Sequence, residues 1–237
     1  MKKNILSTNP AAYADAPFVS RSDPTGSVWT TDQTAQFLAQ VSGDRLRALW
    51  WLAASTGARR SELLGLKWHD IDLDSGTLSI RRTLILVDGR MQVGKPKTDK
   101  SRRTIDIDAH TSQMIRKHRA TQLKERMRAS DVWGPGEWVF TNEIGQPIRP
   151  DWVTRRFSRL VAATALPRIT FHQLRHGHAT ALLAAGINPR IAQERLGHYH
   201  PSFTMAVYQS VLPNMQREAA ERISVALRAE TAGIGDG

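Results

Sequence analysis

The spacing of apolar residues changes period twice along this chain, from helical to alternating and back, and that change sets the class of fold it can adopt. Within 44–56, Leu46, Leu49, Trp50 and Leu52 recur at helical spacing, behind a helix over 33–41 for which Thr31 and Asp32 offer an N-cap. A short helix over 61–66 follows. Between 77 and 108 the period falls to two. Segments 77–80 and 104–108 alternate polar with apolar residues, and Asp88-Gly89 offers a turn joining 84–87 to 91–93. The helical period then returns in a long, very basic segment over 109–128 and in helices over 152–163, 172–185, 189–196 and 202–208. A last helix begins at Pro213, with Met215, Ala219, Ile223 and Leu227 on one face. Segment 130–150 reads as a loop interrupted by Trp138-Val139-Phe140. The expected fold is α+β and mainly α-helical, with a small antiparallel three-stranded sheet.

Composition narrows the partners. The 237 residues are enough for one domain with a real core. Lys and Arg total 33 against 22 Asp and Glu, and the net charge of +11 favours a polyanion, nucleic acid ahead of an anionic membrane. The longest apolar stretch, 48–55, is too short to span a bilayer, and 1–10 carries no secretory hydrophobic run. A soluble protein of the cytoplasm is expected. The chain has no cysteine, which excludes disulfides, thiolate zinc sites and a cysteine nucleophile. Residues 1–28, rich in Pro, Ala, Ser and Asp without periodicity, read as a linker or the tail of an upstream domain. Residues 29–228 read as the main domain and 229–237 as a flexible tail.

Cleavage of a phosphodiester needs a nucleophile, cations for the non-bridging oxygens and a proton donor for the departing hydroxyl. Four segments supply candidates: Thr56-Gly57-Ala58-Arg59-Arg60-Ser61-Glu62, Lys97-Thr98, His172-Gln173-Leu174-Arg175-His176, and Leu196-Gly197-His198 followed by Tyr208. Arginine at 59 or 175 can present a planar fork to a phosphate, which lysine cannot. Arg60 competes with Arg59, as Lys95 and Lys100 do with Lys97. His172, Arg175 and His176 share one helical face, and Glu62 lies three residues after Arg59, where it could orient the guanidinium.

In order and combination these motifs resemble the tyrosine recombinases, or phage-type integrases, over roughly residues 29–212. The interval of ten residues from His198 to Tyr208 is compatible with that family. The resemblance implies site-specific DNA recombination, with Tyr208 as the nucleophile that forms a covalent 3′-phosphotyrosyl intermediate. It implies Arg59, Lys97, His172, Arg175 and His198 as the surrounding catalytic set, with Lys97 protonating the leaving 5′ oxygen. Glu62 and His176 take supporting roles. It also implies no metal and no ATP, double-stranded DNA as partner, and a bacterial host cell in which DNA-bound protein associates with the nucleoid. The chain alone is expected to be a monomer or weak oligomer that becomes a homotetramer on DNA through its last helix. Tyr199 and His200 replace the small polar residues more usual after the third motif.

Three other readings use the same residues. A metal-dependent nuclease would take His172, His176, His178, His198 and His200 as ligands, but no carboxylate set accompanies them and two arginines would repel the ion. A basic DNA-binding regulator would use the clusters at 116–119, 124–128 and 155–159. A type IB topoisomerase shares the chemistry, but the motif spacing and size here are closer to an integrase.

Overall fold

Helix α2 (Arg47–Thr56) is the axis on which the rest is assembled, and its sequence explains why. Ala48, Leu49, Trp50, Leu52, Ala53 and Thr56 are all buried, so almost every face meets another element. It packs against α1 (Thr31–Gln40), α3 (Arg60–Leu64), α4 (Ala109–Ala129) and α6 (Phe171–Ala184). The computed structural model describes residues 28–94 and 102–197, together with 220, 221, 223–225 and 228. Among them no helix is long and apolar enough to cross a membrane.

Aromatic side chains tie the ends of this unit together. Trp29, Phe37, Trp50, Phe157 and Phe171 form a continuous cluster with ring centroids 5.1–6.2 Å apart, in tilted and edge-on contacts. The Trp29 indole N–H donates to the Pro167 carbonyl at 2.8 Å, across 138 residues of sequence. Helices α5 (Pro150–Ala162) and α7 (Pro189–Leu196) pack around the same unit.

Most helix limits follow from their caps, with two corrections. Thr30, not Thr31 or Asp32, caps α1, in a reciprocal box with Gln33, and Asp32 lies in the first turn. Helix α2 begins at Arg47 rather than at 44. The reason is Asp44, whose carboxylate accepts from the Leu46 N–H at 2.8 Å and the Trp50 indole at 3.1 Å, holding a turn in place of a helical start. Helix α7 runs from Pro189 to Leu196 and stops at Gly197, left-handed at φ 66°, as read from sequence.

The sheet departs from expectation in its pairing. Strand β2 (Thr77–Ile80) pairs antiparallel with β5 (Arg103–Asp106), and the third strand is β1 (Ile71–Asp72), two residues that periodicity leaves unassigned. Strands β3 (Thr83–Val87) and β4 (Arg90–Gly94) form a separate hairpin around Asp88-Gly89, both at positive φ. The hairpin's inner strand lies against α3 and α5. Gly65, just after α3, permits that approach, since a Cβ there would sit 2.8 Å from the Arg82 carbonyl oxygen.

The basic helix α4 hides a polar seam. His118 and Gln122 are buried. Gln122 accepts from the Trp68 indole at 2.7 Å and donates to the Trp138 and Val139 carbonyls and the Thr141 hydroxyl. A ring nitrogen of His118 lies 2.8 Å from the Val139 carbonyl. Segment 138–141, expected only as an interruption of a loop, is thereby fastened to α4 with Val139 and Phe140 fully buried. Expected helix 202–208 lies outside the described residues. Of the expected last helix, the described residues are helical, and Ile223 and Val225 are 61% and 66% exposed.

Candidate active site

Three arginines are gathered at the C-terminal end of one short helix. The last carbonyls of α7 have no helical partner and carry the negative end of its dipole. Each of three consecutive carbonyls is taken by a different guanidinium. The Arg195 oxygen accepts from Arg103 Nε at 2.7 Å, the Leu196 oxygen from Arg175 Nη2 at 2.8 Å, and the Gly197 oxygen from Arg59 Nη2 at 3.1 Å. A second helix end contributes in the same way, because the carbonyl of Gly57, which closes α2, accepts from Arg175 Nη1 at 2.7 Å.

Gly57 has two reasons to be glycine. Its φ is +62°, and a Cβ would lie 2.6 Å from Leu196 Cδ2 and 2.7 Å from His178 Cδ2. The Thr-Gly-Ala-Arg segment thus turns from α2 into α3 in contact with both α6 and α7, which delivers Arg59 to the end of α7.

One carboxylate stands among these cations. Glu62 is 1% exposed, and its two oxygens accept four hydrogen bonds. Arg59 Nη1 and the Arg59 backbone N–H each approach to 2.8 Å, and Arg103 forks onto both oxygens at 3.2 and 3.0 Å. Burial alone would raise the Glu62 carboxyl, but the Arg103 hydrogen bonds and charge, with those of Arg59, bring it below the ordinary value. Three guanidiniums facing one carboxylate leave an excess of two positive charges.

That excess faces an open concavity of about 340 Å³, whose lining includes Arg59, Arg60, Thr154, Thr170, His172 and Arg175. Arg175 is 3% exposed, spends two of its five N–H donors on carbonyls, and lines the concavity. Burial first, then the charge of Arg59, lowers Arg175 to about 9, so it stays cationic at neutral pH. His172 opens to solvent at the rim, with its ring 4.7 Å from that of His176, edge to face. Partial desolvation, then Arg175 and Arg59, depresses the His172 pKa, and burial, then His172 and Arg175, takes His176 to about 4. Both rings are therefore neutral at pH 7.

The structure brings together five of the residues singled out by sequence: Arg59, Glu62, His172, Arg175 and His176. It also separates the two neighbouring arginines. Arg59 turns to Glu62 and Gly197, whereas Arg60 hydrogen-bonds the Thr154 hydroxyl on α5. Lys97, His198 and Tyr208 lie outside the described residues. Sequence reasoning missed Arg103, which lies just before the alternating segment read as 104–108. A signal was present: Arg103 is in phase with Ile105 and Ile107 on an alternating strand, and both are buried.

Fold and site together define a mainly helical α+β domain that turns a cluster of guanidiniums, held on helix C-termini, toward an open concavity. The chain belongs to the phage integrase family, whose model matches residues 28–215. It is 33% identical over 196 residues to a XerC-like tyrosine recombinase of Caldanaerobacter subterraneus subsp. tengcongensis, covering 78% of this chain and 50% of that protein. It is 26% identical to the ICEBs1 integrase of Bacillus subtilis, covering 82% of this chain and 53% of the relative. The chain spans about half the length of these relatives. Among solved structures, it resembles the Tn1549 transposon integrase in complex with transposon right end DNA. The TM-score is 0.70 at 25% identity, over 92% of this chain and 73% of the other. The XerA recombinase shares the fold, with a TM-score of 0.64 over 81% of this chain and 65% of the other at 23% identity.

Proposed function

We propose that this chain carries out conservative site-specific recombination of double-stranded DNA, cleaving and rejoining strands through a covalent 3′-phosphotyrosyl bond to Tyr208. The observation that carries the reading is the concavity lined by Arg59, Arg175 and His172, with Glu62 ion-paired behind it. A phosphate seated there meets two forks of donors that strengthen as charge grows on its non-bridging oxygens. The relatives named as integrases and recombinases, and the DNA in the Tn1549 complexes, support the same substrate class.

In this reading Arg59 and Arg175 neutralise the phosphate, and Tyr208 displaces the 5′ oxygen, which Lys97 protonates. Neutral His172 accepts a proton, His198 donates to a phosphate oxygen, and His176 supports His172. The phosphotyrosyl bond conserves the phosphodiester energy, so a free 5′ hydroxyl can later displace the enzyme without ATP. Residues 29–228 form the catalytic domain. Four copies assemble on DNA through the last helix, a role supported by the exposure of Ile223 on its apolar face. Among the described residues no three His, Asp or Glu side chains gather as a metal-ligand set.

A nicked duplex, whose short 5′ fragment diffuses away after cleavage, traps the covalent complex. The wild-type chain should form an adduct stable to denaturation, and Tyr208→Phe should form none. An adduct with the phenylalanine variant contradicts the proposal.

A further inference from the structure

Arg103 stands behind the phosphate-facing residues rather than among them. Its side chain is 5% exposed, and it does not line the concavity. Two of its nitrogens clasp the Glu62 carboxylate, and the third caps the Arg195 carbonyl. We infer that Arg103 is a positioning residue for strand cleavage, acting through Glu62 on Arg59 and through the end of α7 on the spacing of Arg59 and Arg175. The inference rests on the strand-cleavage reading given above.

Three observations carry it. First, a bidentate fork fixes the plane of a carboxylate, and here that plane aims Glu62 Oε1 at Arg59 Nη1, 2.8 Å away. With Arg103 removed, a buried Glu62 would keep only Arg59 as partner and could turn about its side-chain torsions. Second, the carbonyls of residues 195, 196 and 197 bind Arg103, Arg175 and Arg59 in that order, so the spacing of consecutive peptides sets the spacing of the guanidiniums. Third, Gly197 is shaped to Arg103. A Cβ at 197 would sit 2.7 Å from Arg103 Nη1 and 3.0 Å from Cζ, at a residue already left-handed with φ +66°.

The connectivity gives this clasp its reach. Arg103 opens β5 and follows Lys97 by six residues of sequence; Glu62 lies on α3 beside Arg59; and Gly197 precedes His198 in sequence. One buried side chain thus joins three stretches that carry proposed catalytic residues. A displacement of about 1 Å in such a site can cost on the order of 100-fold in rate.

The test uses the full chain with the nicked trapping duplex and two variants. Arg103→Met removes the fork; Arg103→Lys keeps a buried cation opposite Glu62 but cannot clasp both oxygens and the carbonyl at once. Single-turnover adduct formation should slow by about 10- to 100-fold in both. DNA affinity should change by less than about twofold, since Arg103 touches no phosphate in this account. A second substrate carries a neutral methylphosphonate at the scissile position, where the charge on Arg59 has less to stabilise. On it the gap between wild type and the lysine variant should largely close.

A lysine variant that cleaves at the wild-type rate overturns the inference. A gap unchanged on the methylphosphonate does so as well, by showing that Arg103 acts other than through Arg59. Tyr208→Phe is run in parallel. If it still forms adduct, the strand-cleavage reading fails and the role of Arg103 fails with it. If it forms none while Arg103→Lys matches wild type, only the positioning role is wrong.

Discussion

Replacing Glu62 by glutamine should cost far more stability than a surface ion pair would. The carboxylate is 1% exposed and accepts four hydrogen bonds, two of them from an Arg103 that is itself 5% exposed. Glutamine keeps the shape but cancels the charge, and its amide turns two hydrogens toward arginine donors. Breaking a buried pair by removing one partner costs about 3–5 kcal/mol, because the surviving charge stays desolvated. For a domain of this size each kcal/mol moves Tm by roughly 2–4 °C, so the melting point should fall by about 6–20 °C.

Urea and thermal unfolding, followed by circular dichroism, measure this directly. The double variant Glu62→Leu with Arg103→Met should recover most of the loss, since it removes both charges together. The pH dependence has a definite sign. The folded Glu62 pKa is depressed, so its stabilisation is present above the ordinary carboxylate pKa and is lost as pH falls through the folded value. The stability gap between wild type and Glu62→Gln should therefore shrink in strong acid. A loss below about 1 kcal/mol at pH 7, the range of exposed ion pairs, would refute the argument that Glu62 is the desolvated hub of the site.

Other perturbations probe neighbouring parts. Gly57→Ala should destabilise by about 1–3 kcal/mol more than Gly186→Ala in urea titrations. Both have positive φ, but only at 57 does a Cβ strike packed side chains, and equal losses would count against that crowding. Arg175→Lys should lose about 1–3 kcal/mol, because one ammonium cannot cap both the Gly57 and Leu196 carbonyls, and should cleave the trapping duplex more slowly. His178, held at about 4 by burial and then Arg195, contributes stability above its unfolded value near 6.5 and loses it as pH falls toward 4. His178→Asn should flatten the stability curve over that window, and an unchanged slope in urea titrations at stepped pH would show that the acid sensitivity lies elsewhere.

What sequence could and could not show divides along the range of the interactions. Helix α7 was legible to the residue because Pro189 and Gly197 mark it locally, whereas α6 was read one residue late at each end because the box between Thr170 and Gln173 that starts it went unread. The sheet was less so. Alternation identified both β2 and β5, but not that they pair with each other while the intervening hairpin stands apart, and two-residue β1 is too short to show a period. His118 and Gln122 looked like part of a solvated basic helix, since their partners lie at 138–141. In the site, Arg59, Glu62, His172 and Arg175 were legible through short motifs. Arg103 was not, because its meaning rests on a carboxylate 41 residues away and a helix end 92 residues away.

The central claim is chemical, and the covalent bond itself tests it most directly. The trapped adduct can be digested with trypsin and nuclease and the remaining nucleotide located by fragmentation mass spectrometry. Cleavage after Arg195 and Arg217 releases one peptide containing both Tyr199 and Tyr208, so the fragment ions must distinguish the two. The account predicts a nucleotide joined through its 3′ phosphate to Tyr208. Attachment to Tyr199, to Tyr13 or to a serine would contradict it.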